Sequence, residues 1–170
     1  MRLSIWKINR NFRWSKGMPR TTGTIIFDCV FIAMTAAVWG VIIWLISRAP
    51  GIVPTHFGVS GQPDAWGSPT HHLIPFIIIT VVALAAVVGA YFPQSALNIP
   101  GYNQKEATPR QNELGAWLMR ILAVFMLVLI LTIALSIFVL TSHSVVPVIS
   151  VIGVMLVVCI VFSVLMYKAK

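Results

Sequence analysis

Long apolar runs alternate with polar stretches along the whole chain. Four of these runs are close in length to the roughly 20 apolar residues that cross a bilayer as a helix. They cover residues 25–46, 73–92, 114–140 and 145–167. The pattern predicts an all-α integral membrane protein, a bundle of four transmembrane helices with an ordered loop between the first two.

The polar stretch between the first two runs, residues 49–72, is rich in turn-forming residues. It holds four prolines and four glycines, which exclude a long helix and supply the φ angles of tight turns. It also holds His56, Asp64 and Trp66, but no lysine or arginine. Two interpretations are open: a self-packed cap over the helix ends, or a recognition surface for an external ligand or peptide.

Composition supports the membrane assignment, because only 9% of the residues are charged and 58% are hydrophobic. Soluble domains average roughly 25% charged residues. The chain divides into a basic juxtamembrane segment, residues 1–23, and a single membrane domain, residues 24–170. The net charge of +8 does not indicate nucleic-acid binding, because the basic residues flank apolar runs and no nucleic-acid-binding motif is present.

The basic residues also predict an orientation. Six lie in residues 1–23, two in the loop before the third span and two in the C-terminal tail, whereas the first loop and the turn around His143 have none. By the positive-inside rule, both termini are expected on the cytoplasmic side of a bacterial cytoplasmic membrane. The basic segment is then expected to contact anionic lipid headgroups, with a dedicated lipid or partner site as the alternative.

This orientation places every histidine and one acid on the outer side. Histidine and aspartate can bind a divalent ion, and histidine can act as a proton switch. Weak candidates for a metal site are therefore His56, Asp64, His71, His72 and His143. The alternative is that they are interfacial residues and turn caps. No cofactor is predicted, and the chain has no nucleophile elbow, phosphate-binding loop or zinc-protease motif, so we expect a non-enzymatic protein.

Two charges fall inside predicted spans. Asp28 lies about one turn inside the first span, and Arg120 lies at a similar depth in the third. Charges within a membrane usually find a partner. We therefore predict a buried Asp28–Arg120 ion pair between neighbouring helices, with separate extension of each side chain to the headgroups as the alternative.

The first loop resembles the signature of a bacterial membrane family, domain of unknown function 1648. Its matching residues are Pro54, His56, Phe57, Gly61, Asp64 and Trp66. In the next loop, which we expect on the inner side, Asn98, Pro100 and Asn112 resemble the family pattern before the third span. Gly58 and Pro69 depart from it, since the family usually has asparagine and lysine there. The resemblance covers about residues 25–140.

The resemblance implies a small multi-pass membrane protein. The same domain forms the N-terminal part of SdpI-type immunity and signalling proteins, so the resemblance implies toxin immunity, or peptide sensing and signalling through the outer loop. The partner would be an external peptide or another membrane protein. A structural subunit of a membrane complex and a small transporter component are the alternatives.

Overall fold

The computed structural model describes residues 17–58, 60–100, 102–104, 106–139 and 145–169. Most of the basic segment and His143 lie outside these ranges. The elements are α1 (Thr22–Arg48), β1 (Val53–Phe57), β2 (Pro63–Gly67), α2 (Leu73–Gly89), α3 (Pro93–Ala96), α4 (Pro109–Phe138) and α5 (Val146–Lys168). A short 3-10 helix, Pro69–His72, leads into α2. Helices α1, α2, α4 and α5 are long and apolar enough to cross a membrane, which confirms the predicted fold class.

Side-chain caps explain why two helices begin before their apolar runs. At α1, the Thr21 hydroxyl accepts from the backbone N–H of Thr24, and the Thr24 hydroxyl accepts from the N–H of Thr21. Thr108 and Gln111 form the same reciprocal pair at α4. Such pairs satisfy N–H groups that the first helical turn leaves without partners. Helix α4 therefore begins at Pro109 rather than at the predicted residue 114.

Helix α4 is the centre of the bundle, because it packs against α1, α2 and α5. Its buried face carries Ala123, Leu127, Ile130 and Ala134, which pack into a core with residues of α1 and α2. Within this core, α1 and α2 are also joined by a hydrogen bond. The indole N–H of Trp39 donates to the Thr80 hydroxyl at 3.1 Å.

Helix α5 is attached to α4 near one end. The Gln111 side chain donates to the backbone carbonyl of Met166, and the Thr108 hydroxyl donates to that of Ala169, both at 2.9 Å. Met166 is the residue of α5 that is buried, and most of the helix presents apolar side chains outward. Such a surface is suited to contact with lipid.

A small antiparallel sheet replaces the predicted loop between the first two helices. Its strands pair Val53 with Gly67 and Pro54 with Trp66, with register shifts further along. Prolines are tolerated here because a two-stranded sheet consists of edge strands. We call β1, β2 and the turn between them the hairpin, and the end of the bundle that carries it the hairpin end. The opposite end, where α2 finishes and α4 begins, is the Tyr91 end.

Candidate functional site

The hairpin owes its shape to its turn residues. Gly61 has a φ angle of +75°, which side-chain-bearing residues rarely adopt. The N–H of Gly58 donates to the carbonyl of Gln62, and the N–H of Gly61 donates to that of Gly58, both at 2.9 Å. These bonds close the turn between the two strands and bring its flanking side chains together.

The hairpin holds His56 next to Asp64. The imidazole Nδ1 lies 2.5 Å from a carboxylate oxygen, and the two side chains are 69% and 51% exposed. Gly58 leaves room for this carboxylate, because a Cβ atom there would lie 3.0 Å from Asp64 Oδ2. Position 58, where the family usually has asparagine, therefore lies next to the His56–Asp64 pair. This paired, accessible acid and base is the chemistry that the hairpin offers to a ligand.

The other predicted signature residues of the hairpin separate into buried and exposed groups. Pro54 is fully buried and Phe57 is half-buried, whereas Trp66, the cross-strand partner of Pro54, is 55% exposed. Buried signature residues hold the hairpin in place, and exposed ones provide its surface. The signature thus contains residues suited to both of the roles predicted for this loop.

His72 anchors the hairpin to the helices. Its Nε2 atom lies 2.8 Å from the carbonyl oxygen of Pro54. Because a carbonyl only accepts, the imidazole donates this bond. The ring also packs against Phe76 and Phe138. Sequence reasoning placed His72 at an interface and missed this anchoring role. Its position between a polar loop and an apolar run was the available signal.

The predicted metal candidates do not converge. Within the described residues, no three histidine, cysteine, aspartate or glutamate side chains are placed to hold a metal ion. His56 and Asp64 form a pair, His72 is committed to Pro54, and His71 is exposed beside Gly67. His143 lies outside the described ranges. The described geometry thus offers a two-residue acid–base pair.

The second predicted signature lies at the Tyr91 end. Asn112 is fully buried and its side-chain oxygen accepts from the Tyr102 hydroxyl at 2.6 Å. Burial raises the pKa of Tyr102 to about 12. Asn98 and Pro100 are exposed, while the neighbouring Leu97 is buried. Asn112 therefore orders this loop, and sequence reasoning missed Tyr102 as its partner.

The prediction that Asp28 and Arg120 form an ion pair is wrong. Helices α1 and α4 are neighbours as expected, but among the described residues neither charge forms an ion pair. Instead, the Tyr91 hydroxyl donates to Asp28 at 2.5 Å, and the Arg120 guanidinium lies 4.8 Å from the centre of the Tyr91 ring. Tyr91 contacts both charged side chains, because its hydroxyl is a donor and its ring face attracts cations.

Comparison with known proteins matches residues 33–80 to the model of a family described as "Domain of unknown function (DUF1648)". An uncharacterized protein of Archaeoglobus fulgidus is 31% identical over 123 residues, which is 68% of this chain and 64% of that relative. The chain therefore spans less than two thirds of this relative's length. No solved structure matches the chain.

The matched residues run from the middle of α1, through the hairpin, to the middle of α2. They include the whole first signature and its anchor, His72, while Asn112 and Arg120 lie beyond them. Over residues 33–80 the resemblance is thus confirmed: this part of the chain, the hairpin with the adjoining halves of α1 and α2, is similar to the DUF1648 family model.

Proposed function

We propose that this protein is a non-enzymatic, multi-pass membrane protein that recognises an external peptide through its hairpin, as a toxin-immunity or signalling module. The observation that carries the proposal is the His56–Asp64 pair, which is accessible although its two side chains are in contact. A peptide backbone or a polar side chain could bond to the free edges of both groups.

The contacts that fix the hairpin to the bundle support a role in recognition. The His72–Pro54 bond and the burial of Val53 fix β1 against the bundle, so the surface is ordered before a ligand arrives. Preorganisation lowers the entropy lost on binding. Trp66 adds a large, exposed aromatic side chain on the same hairpin, and aromatic residues are enriched in protein interfaces.

We further propose that the hairpin lies outside a bacterial cytoplasmic membrane and that both termini are cytoplasmic. The distribution of basic residues supports this orientation, because residues 49–72 have none whereas residues 1–23 have six. In this arrangement the basic segment contacts anionic headgroups. Arg20, at its end, packs over the ring of Tyr91 at 5.6 Å, which links the segment to the bundle.

The proposal is tested by cell survival. Host cells that express the chain are challenged with each small secreted peptide encoded beside its gene, and protection is compared with that given by His56→Ala and Asp64→Ala. We expect each variant to protect roughly tenfold less, because a hydrogen bond to a charged group is lost. Gln62→Ala is the matched control, since its side chain is exposed on the same turn.

Equal membrane levels of all variants are verified by immunoblot. Full protection by both His56→Ala and Asp64→Ala would remove the pair from the mechanism. The absence of protection by the unmodified chain against every peptide would reject toxin immunity.

A structural role in a larger membrane complex is the second candidate. It is favoured by the open surfaces beside Gly40 of α1 and Gly153 of α5, where an added Cβ would meet no atom within 4 Å. Small residues allow close helix approach in membranes. Cross-linking through cysteines placed at position 40 or 153 would detect a neighbouring helix there, and unlinked chains in native membranes would argue against it.

A further inference from the structure

Arg120 is a charged side chain buried inside the bundle at the Tyr91 end. It is 2% exposed, and its guanidinium lies within 6 Å of three aromatic ring centres: 4.8 Å from Tyr91, 5.8 Å from Trp117 and 5.9 Å from Phe27. Its Nη1 reaches the carbonyl of Ala116 at a long 3.4 Å. The ring faces hold the cation in position. They do not accept the hydrogen bonds that its remaining N–H groups donate in the plane of the guanidinium.

Two of its nitrogens, Nε and Nη2, are buried without a hydrogen-bond partner among the described residues. These two nitrogens lie on one edge of the guanidinium and form the fork that binds two oxygens of a single oxyanion. A buried cation with unbonded donors is costly. Arg120 is thus poised for a bidentate oxyanion ligand.

None of the chain's acids forms an ion pair with Arg120 in the structure. The chain has four acidic residues, all of them described, and each bonds to another residue, although Asp28 Oδ1 is buried without a hydrogen-bond partner. The pairs are Asp28 with Tyr91, Asp64 with His56, Glu106 with Asn103, and Glu113 with Arg110. The residues outside the described ranges include no aspartate or glutamate, so they offer no side-chain carboxylate either.

Arg120 also lines a cavity of about 530 Å³. This volume falls within the range of roughly 300–1,000 Å³ typical of small-molecule sites. Its other walls include Pro19, Thr21, Arg110, Glu113 and Trp117. The cavity thus combines the buried guanidinium with the Arg110–Glu113 ion pair, a hydroxyl group and apolar surface.

We propose that this cavity binds a phosphate group, with Arg120 as the bidentate ligand and with Arg110, which pairs with Glu113, at the wall. The site is separate from the hairpin and does not depend on the function proposed for it. Phosphate fits because its oxygens match the guanidinium fork and its charge offsets the buried cation. It can come from a lipid headgroup, whose acyl chains would follow the apolar walls, or from soluble phosphate.

The test uses the full chain, purified and delipidated in a non-ionic detergent. Its thermal unfolding is followed during titration with phosphatidylglycerol, with diacylglycerol of the same acyl chains, and with inorganic phosphate against chloride at matched ionic strength. We expect phosphatidylglycerol to raise the unfolding temperature and diacylglycerol, which lacks phosphate, to leave it unchanged. An equal effect of the two lipids, with no effect of inorganic phosphate, would overturn the proposal.

Three variants assign the effect to the cavity. Arg120→Gln should raise the Kd for phosphatidylglycerol about tenfold or more, because a charged bidentate contact is lost. Arg120→Lys should be intermediate, since a lysine keeps the charge but not the fork. Glu113→Gln should lower the Kd, because it removes the acid that pairs with Arg110. Arg48→Gln, at the other end of α1, is the control and should bind like the unmodified chain.

An unchanged Kd in Arg120→Gln would overturn the site. If that variant does not fold, an unchanged Kd in both Arg120→Lys and Glu113→Gln would do the same. Stabilisation by inorganic phosphate that depends on Arg120 would support the site and assign a soluble source. Stabilisation by phosphatidylglycerol alone would assign the lipid.

Discussion

The imidazole of His72 donates a hydrogen bond to the carbonyl oxygen of Pro54 across 2.8 Å, and both residues are buried. The same ring lies 6.0 Å from that of Phe76 and 5.7 Å from that of Phe138. One side chain therefore joins the hairpin to the start of α2 and the end of α4. The hairpin is positioned by the bundle, although the hydrogen bonds that close its turn join residues of the hairpin itself.

Replacing His72 with phenylalanine should destabilise the protein by about 1–3 kcal/mol, because the buried Pro54 carbonyl loses its donor while an aromatic ring is kept. Reversible unfolding in detergent micelles would measure the change. His71→Phe is the matched control, since His71 is exposed, and it should change the free energy by less than about 0.5 kcal/mol. Equal effects of the two substitutions would contradict the anchoring role.

At the other end of the bundle, Tyr91→Phe should destabilise the protein by about 2 kcal/mol. The substitution removes the hydroxyl that donates to Asp28 at 2.5 Å and leaves a partly buried carboxylate unsatisfied. In an Asp28→Asn background the same substitution should cost about 1 kcal/mol less, because the charge is gone. Tyr167→Phe, at an exposed tyrosine, serves as the control. Additive effects of the two substitutions would show that the bond is energetically unimportant.

The four helices could be predicted from the sequence because uninterrupted apolar runs have few alternatives in a bilayer. Their ends shifted by several residues where polar caps extended them, as Thr108 and Gln111 do for α4. The hairpin could be predicted as an ordered turn-rich segment but not as strands, since Pro54 and Pro63 are poor strand residues that only an edge pairing tolerates.

The candidate sites were less predictable, because they depend on contacts between distant parts of the chain. Asp28 and Arg120 were correctly placed on neighbouring helices, yet a pairing argument that considers only charges overlooks Tyr91, whose hydroxyl donates to Asp28 and whose ring lies against Arg120. The His56–Asp64 contact depends on a strand register with shifts on both sides of His56. No hydrophobic periodicity fixes such a register in a short polar hairpin.

The proposed orientation predicts which positions an impermeant thiol reagent reaches in intact cells. In a chain whose two cysteines, Cys29 and Cys159, are replaced by alanine, Gln62→Cys on the hairpin should be labelled from outside. Ser95→Cys at the Tyr91 end should be labelled only after permeabilisation. Both positions are exposed in the structure, so a difference in labelling reports the side of the membrane on which each position lies. The reverse labelling pattern would invert the topology and place the hairpin in the cytoplasm.

The buried hydroxyl of Tyr102 predicts a loss of stability at high pH. Burial raises its pKa from 10.0 to about 12, so the folded state keeps the proton while the unfolded chain releases it. The stabilisation is complete below pH 10.0, decreases as pH rises and is lost above about pH 12. By linkage it amounts to on the order of 2 kcal/mol.

Tyr102→Phe should be less stable at neutral pH, because Asn112 loses its donor, but should lack this component of the pH dependence. The difference in unfolding free energy between the two chains, measured in micelles from pH 8 to 12, isolates Tyr102 from other groups that titrate there. A difference that stays constant across this range would show that the hydroxyl is not buried in the folded protein.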